Sequence, residues 1–530
     1  MKLTINLHKI SENCYFEGKI YHKNAFLSTA EVADLFRDVD AEDILQILPD
    51  IDGFFYLAIE TGEKLFLITD IVRSLPLFYK KLKNEIFIAK NAFDLSSDEK
   101  ISIENTDAFL TCGYTLGNKT IFENIFQAEA ANLLSIEKAD GKTISTNYYC
   151  PVKSAFQDFD KEELFSKLNE TYAKVVQKAI DYAAGRTIVV PLSGGYDSRL
   201  VAMTLKKLGA KNVVCYAYGT KQPFDIGRSE INASKQVAEM LGYKWIFVKY
   251  SYSKWKKLVN SSEAKKYIDF VSRGVSLISY QEWLAVLELK TKSLLPRDSI
   301  FIPGHTGDFI TGAYIPLDID FDKTYSKQQL QERLSKGYFK LFPIAPKVAL
   351  KICETFAPLH ETYAAKDYVG FLETFSWKEF HAKHICNSAQ VYSFYGYDCY
   401  FPLWDKEIVD LWFSVHPKQK IGRALYREFA EKYFKTSIPY VSNGAHKNLF
   451  LRGLFKICHA LKLDFLVNNQ YGIAGTNKLS FFLKTVSVPD ELKNSFVLEN
   501  SSKKLRKISL NGIGALQTLL KKYETGTTNH

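Results

Sequence analysis

The sequence predicts an α/β protein: a C-terminal parallel sheet with helices on both faces, preceded by a smaller, mostly β unit. Three observations point there. After residue 186, short apolar runs alternate with segments of helical period, the pattern of parallel strands joined by crossover helices. Before about residue 150, apolar runs follow one another between turns with little helical periodicity, as in a sheet built from hairpins. A chain of 530 residues is also too long for one typical core. The expected division is 1–150 and 151–530.

In the first part FFYLAIE, KLFLITD, EIFIAK and NLLSIEK read as strands, and Asp140-Gly141 as a turn. The pattern changes near Tyr148. From Lys161, the residues Phe165, Leu168, Tyr172, Val175, Val176 and Ala179 fall on one helix face, and Gly185 stops that helix. The strand TIVVPL, a glycine turn and the helix RLVAMTLKKL come next, closed by Gly209. VVCYAYG, the helix SEINASKQVAEML with Gly242 after it, KWIFVKY and SIFIP continue the alternation. The remainder to Tyr523 is mainly helical by pattern, with aromatic-rich stretches from Tyr392 to Trp404.

Composition excludes several classes. Hydrophobic content of 46% with 24% charged residues describes an ordinary globular protein. No apolar run is long enough to span a bilayer, so membrane association is expected to be peripheral at most. The beginning, MKLTINLHKISENCYF, has no apolar stretch of the secretory type. The eight cysteines form no CxxC pair, which argues against a zinc site or a disulfide framework and fits a reducing cytoplasm. The net charge is +10, part of it in Lys503, Lys504, Arg506, Lys507, Lys521 and Lys522. That cluster reads as a solvated helix face, with a basic surface for anionic substrates or lipid as the other reading. The patterns of nucleic-acid-binding motifs are missing, so no nucleic-acid partner is expected.

The strongest signal is Ser193-Gly194-Gly195-Tyr196-Asp197-Ser198, set between an apolar strand and an amphipathic helix. Glycines let a backbone approach a phosphate closely. The N–H groups of such a turn, with the helix N-terminus behind them, form an anion site. Ser193 and Ser198 add hydroxyl donors, and Asp197 is placed to hold Mg²⁺ on the phosphates. A plain strand-turn-helix connection would suit a bare SGG better than this full pattern. There is no Walker lysine, since Gly141-Lys142-Thr143 lacks the upstream glycine, and no GxGxxG at this turn.

SGGxDS resembles the PP-loop of the ATP pyrophosphatases, which cleave ATP between the α and β phosphates and activate an oxygen as its adenylate. Other stretches resemble the asparagine synthetase family in order and spacing. DGFFYLAIE and LITDIVRSLPLFYKK look like late strands of its N-terminal glutaminase-type domain, an Ntn-hydrolase-like fold. FLTCGYTLGNKTIFENIF and TNYYCP look like the passage into its synthetase domain. PGHTGDFITGAY resembles its motif GEGSDExxGGY, YFPLWD resembles RxPFLD, and AHKNLF resembles the region of its catalytic lysine. The resemblance implies ATP and Mg²⁺ as cofactors and an adenine-nucleotide α-hydrolase-like sheet. Leu192, Ser193, Gly194, Gly195, Asp197, Ser198, Gly304 and Asp308 would bind nucleotide, with Asp197 and Asp308 on the metal. Lys447 would stabilise charge during the reaction, with Tyr314 beside it; Gly312 also falls on a matching position.

The departures are informative. His305 stands where the family has glutamate, Phe309 where it has a second acid, and Tyr400 where it has arginine. A histidine titrates near neutrality, so His305 is a candidate base for an amine nucleophile, or else a structural histidine. His305 and Tyr400 are where substrate choice is expected to show. The family's glutaminase uses an N-terminal cysteine, whereas this chain begins Met1-Lys2 and its first cysteine is Cys14. The first 150 residues are therefore expected to be a truncated remnant without a nucleophile.

The expectation is thus an asparagine synthase-like ligase forming C–N bonds on a small-molecule or sugar-linked carboxylate. Nitrogen would come from ammonia, an amine or a separate glutaminase. The GHTGD variant looks like members that accompany surface-polysaccharide synthesis, where the acid would be a uronate. The alternatives are a β-lactam or lasso-peptide type of intramolecular cyclase, and a catalytically silent scaffold. A tRNA-modifying enzyme would need an RNA-binding domain that the sequence does not display.

Overall fold

A computed structural model of the chain describes residues 1–434, apart from 154, 158, 220–229, 260, 279, 280 and 340–359. Lys447, the AHKNLF segment and the basic cluster from Lys503 to Lys522 lie outside the described residues.

The N-terminal part builds two stacked sheets. Its strands are β1 (Lys2–Asn6), β2 (Cys14–His22), β3 (Ala25–Phe26), β4 (Ile51–Glu60), β5 (Lys64–Thr69), β6 (Phe78–Leu82), β7 (Glu85–Ala89), β8 (Ile125–Gln127), β9 (Asn132–Glu137) and β10 (Thr143–Asn147). The sheet orders are β10-β9-β5-β4-β2-β3 and β1-β7-β6-β8. Strand β4 is covered on both faces. Tyr56 and Ala58 pack against Tyr79, Ile86 and Ile88 of the second sheet. Phe55, Leu57 and Ile59 pack against Val32, Phe36 and Ile44, carried on or beside helices α1 (Thr29–Leu35) and α2 (Ala41–Ile47). With no face left for water, FFYLAI is apolar throughout. Capping boxes, Ser28 with Glu31 and Asp40 with Asp43, start the two helices.

The C-terminal part is α/β with a five-stranded parallel sheet. Its strands are β11 (Ile188–Pro191), β12 (Val213–Gly219), β13 (Lys244–Lys249), β14 (Ile300–Phe301) and, after a small antiparallel pair, β15 (Thr324–Ser326) with β16 (Thr362–Ala364), the strand β17 (Asp398–Cys399). The order is β13-β12-β11-β14-β17, all parallel. One set of helices, among them Lys161–Ala183, Tyr196–Lys207 and Glu230–Leu241, packs on the sheet with Ala424–Phe434. A second set, Ser262–Ser272, Trp283–Thr291 and Gln390–Phe394, packs around β13 and β17. Right-handed crossovers from β11 outward in both directions require this two-faced cover. No helix among the described residues is long and apolar enough to cross a membrane.

The two parts share one core: Phe54, Ile71, Val72, Ala130 and Ala131 belong to the cluster that covers the parallel sheet. Buried charge fastens the seam. Lys178 Nζ lies 2.8 Å from Asp405, 3.1 Å from Glu407 and 3.8 Å from Asp52 on β4. Lys19 Nζ on β2 lies 2.7 Å from Asp398 on β17. Burial and Asp52 push the Asp405 carboxyl up, and Lys178 opposes them. Replacing Lys178 by Met leaves a 1%-exposed carboxyl without its counter-charge. Lys178→Met is expected to lose about 3 kcal/mol of stability, measured by guanidinium unfolding.

Candidate active site

Strand order reverses at β11: β12 and β13 lie on one side, β14 and β17 on the other. Loops leaving strands at such a switch point diverge and open a crevice at the carboxyl ends. The loops after β11 and β14 are the two glycine-containing motifs of the sequence, so the fold brings both to one crevice.

The first loop is closed by its own hydroxyls. The Ser193 amide donates to Ser198 Oγ at 3.0 Å, the two hydroxyl oxygens are 3.0 Å apart, and the Gly195 amide donates to Ser193 Oγ at 3.1 Å. Leu192 is buried and anchors the turn through its amide, 2.9 Å from the Tyr216 carbonyl. The Gly194 carbonyl accepts from Arg199 Nη2 at 3.3 Å. Gly195 caps the helix Tyr196–Lys207 without any side-chain cap bond, which leaves first-turn amides directed at the crevice.

The second loop presses directly on the first. A Cβ at Gly304 would lie 2.4 Å from the Ser198 amide nitrogen, and one at Gly307 would lie 2.6 Å from Asp197 Cγ. Only glycine permits that approach. Thr306, between them, has φ +79°, a strained setting for a β-branched residue, and its hydroxyl is buried without a partner among the described residues. The motif GEGSDE would put glycine at 306 and serine at 307; here the glycine has moved one place, to where it clears Asp197.

Asp197 and Asp308 face the same crevice. Burial first, then the neighbouring Asp197, pushes the Asp308 carboxyl up to about 6, against the pull of Arg423. Arg423 comes from far along the chain. Its Nη2 is 2.8 Å from Asp197 Oδ1 and its Nε donates to Thr311 Oγ1 at 2.8 Å. The Tyr426 hydroxyl also bonds to Asp197. Tyr314 is half-buried, its ring 5.9 Å from Phe309 and 5.2 Å from His381, and Asp308 is among the groups that raise its hydroxyl.

Two sequence expectations are corrected. His305 does not titrate near neutrality: burial lowers it to about 4, and its Nδ1 has no partner among the described residues. It is neutral at physiological pH and a weak base. Tyr400 does not face the crevice. Its ring packs in the seam against Phe26, Phe54 and Tyr182, because an aromatic side chain at that position is stabilised by burial where a guanidinium is not. It is Phe401 that stacks on His305. The site expectations for Lys447 lie outside the described residues.

Sequence reasoning missed Arg423 and Tyr426, which have no local motif, and it missed His381. That histidine sits in a π-helix, Ser376–Ile385, a conformation that recurs at functional sites. Its buried ring stacks on Phe309 at 4.5 Å, and neither ring nitrogen has a partner among the described residues. The same helix grips the N-terminal part. Trp377 Nε1 donates to the Ile71 carbonyl at 2.7 Å, and Lys383 Nζ donates to the carbonyls of Thr115 and Gly117 at 2.9 and 2.7 Å. Below the second loop, Lys420 and Glu373 form a buried pair at 3.4 Å.

The asparagine synthase family model matches residues 171–441, just over half of the 530 residues. The microcin J25-processing protein McjC of Escherichia coli is 24% identical over 298 residues, 56% of this chain and 53% of that protein. The chain thus spans about half the length of this curated relative. Among solved structures, an NH3-dependent NAD synthetase from Campylobacter jejuni aligns at 13% identity and TM-score 0.22, covering 43% of this chain and 96% of that one. The U34-tRNA thiolase NcsA from Methanococcus maripaludis aligns at 14% identity and TM-score 0.20, covering 45% and 80%. Scores this low carry no functional argument.

The raised Asp308 carboxyl has a consequence for stability. Its folded value lies above that of an unfolded chain, so its contribution favours the fold at low pH and is lost as pH rises through about 6. Asp308→Asn is therefore expected to be more stable than wild type at pH 8, by about 1–2 kcal/mol with solvent screening allowed for. The gain should vanish near pH 4, and thermal unfolding across that range measures it.

Proposed function

The chain belongs to the asparagine synthase family, and on that premise we propose that it is an ATP-dependent ligase. It activates a substrate carboxylate and passes the acyl group to ammonia or an amine, forming a C–N bond. The observation that supports this most is the contact of the Ser193 and Gly304 loops, which sets two carboxylates over the uncapped start of a helix. In this reading a carboxylate oxygen attacks the α phosphorus of ATP and pyrophosphate departs. The amine then attacks the acyl carbon, AMP departs, and the amine gives up a proton.

The residues divide that work. The first-turn amides and the Ser193 and Ser198 hydroxyls receive phosphate oxygens. Asp197 and Asp308 suit a divalent cation: both are acid oxygens, the hard-ion donor type, and burial and the neighbouring Asp197 raise Asp308, a cost that a cation between them would relieve. Mg²⁺ held there would supply positive charge beside the departing pyrophosphate. Arg423 adds a fixed positive charge on Asp197. His305, being neutral, serves through its Nδ1 as a hydrogen-bond partner for the incoming amine rather than as a strong base. Lys447 keeps the charge-stabilising role that the resemblance gives it.

We read residues 1–150 as a glutaminase-type remnant and 151–530 as the synthetase part. Cys14 is buried in the sandwich and its thiol is pushed up to about 12, and Cys112 is buried too. Neither is presented as a nucleophile, which supports nitrogen from free ammonia, from a separate glutaminase or from the substrate itself. For the acid, the GHTGD motif favours a uronate. The match to McjC, named as a microcin-processing protein, favours a second reading, in which a peptide carboxylate is joined to an amine of the same peptide.

The test is release of AMP and pyrophosphate from ATP and Mg²⁺ over a panel of uronates, aspartate and peptides, with and without ammonium. Acid-dependent AMP release that falls at least about 100-fold in Asp197→Asn and in Asp308→Asn is expected. ADP in place of AMP would overturn the mechanism. AMP release with a peptide and no ammonium would move the cyclase reading ahead.

A further inference from the structure

Two arginines lie close enough to repel each other in the seam between the two parts. Arg73 follows β5 and Arg273 caps the helix Ser262–Ser272; both sit in the left-handed region, with φ of +54° and +50°. They are 2% and 7% exposed. Arg73 Nε donates to the Ala128 carbonyl at 3.1 Å. Arg273 Nη2 donates to Gln390 Oε1 at 3.0 Å, and Gln390 Nε2 donates to the carbonyl of Ser74, next to Arg73, at 2.9 Å. Gln390 thereby links Arg273 to the backbone beside Arg73. One nitrogen on each guanidinium, Arg73 Nη2 and Arg273 Nη1, is buried with no acceptor among the described residues.

Among the described residues, none of the acids in range forms an ion pair with either guanidinium. Asp70 accepts from the amides of Phe55, Val72 and Ser74 and from the Ser74 hydroxyl. Glu379 is paired with Lys383 at 2.6 Å, and Glu17 with Lys90 at 2.7 Å. Asp94 and Glu129 act on the arginines only through longer-range attraction. Burial lowers Arg73 to about 9 and Arg273 to about 10, and repulsion from Arg273 adds to the effect on Arg73.

We propose that this seam is a binding site for a small monoanion, a halide or a short carboxylate, held between Arg73 Nη2 and Arg273 Nη1. A water molecule would satisfy the two N–H groups but leave two like charges in the core, which is the costlier half of the problem. Both guanidinium groups are almost wholly buried, which favours a ligand of a few atoms. Bound there, the ion ties the loop after β5 to the helix Ser262–Ser272, so it belongs to the junction of the two parts and not to the reaction.

The test follows the melting temperature of the full chain as sodium gluconate, too large to enter, is exchanged for sodium chloride at constant ionic strength. Wild type is expected to gain about 2 °C at roughly 200 mM chloride, and Arg73→Met and Arg273→Met are each expected to lose that gain. A flat wild-type response, or an equal gain in wild type and both variants, overturns the site. Should a variant not fold, wild type decides alone. Excess chlorine-35 line broadening that acetate displaces supports the proposal, and its absence overturns it.

Discussion

The pairing of β11 with β14 is the contact on which the crevice depends. Ile188 and Val189 pair with Ile300 and Phe301, and the ladder runs past the short strand through Ile302 to the Val189 carbonyl and Tyr400 to the Phe301 carbonyl, each at 2.9 Å. Strand β14 is two residues long, yet bonds on both edges fix its direction. The direction fixes where the chain emerges, and the emerging loop has no room to choose: Gly304 lies on Ser198 and Gly307 on Asp197. The carboxylates meet because the strands do.

That meeting concentrates negative charge, and the rest of the chain is arranged around it. Arg423, held at φ +59° just before a helix, reaches Asp197 and Thr311 together. On the other side the π-helix backs the second loop through His381 and Phe309 while Lys383 and Trp377 grip the N-terminal sheets. The N-terminal part is a wall of the same structure. The parallel sheet's core includes five of its side chains, Phe54, Ile71, Val72, Ala130 and Ala131.

Much of the fold was legible because burial writes itself into sequence. Strands covered on both faces, such as β4, β11 and β12, must be apolar throughout, and their runs are visible one residue at a time. The glycine turn at 193–198 was legible for a related reason, since a phosphate-sized turn is built from neighbours in the chain. What escaped were features made by residues distant in sequence. β17 is only Asp398–Cys399 and has no pattern of its own. Arg423 lies in an unremarked helical stretch. The lowered His305 follows from what surrounds it, and no spacing encodes that. Tyr400 misled in the opposite sense: its place in a motif suggested substrate contact, while its ring went into the seam.

The glycines of the second loop also bear on how such a site changes over time. Position 304 lies against the backbone of Asp197 and Ser198, where any side chain would push the two loops apart, so it is the less free of the two glycines to vary. His305 and Phe309 are open, since the one stacks on Phe401 and the other on His381, outside the contact between the loops. The two departures from the family's acids fall on those open positions. Side chains at 305 and 309 can therefore be exchanged while the contact between the two loops stays still, so the wall of the crevice can change without rebuilding its floor.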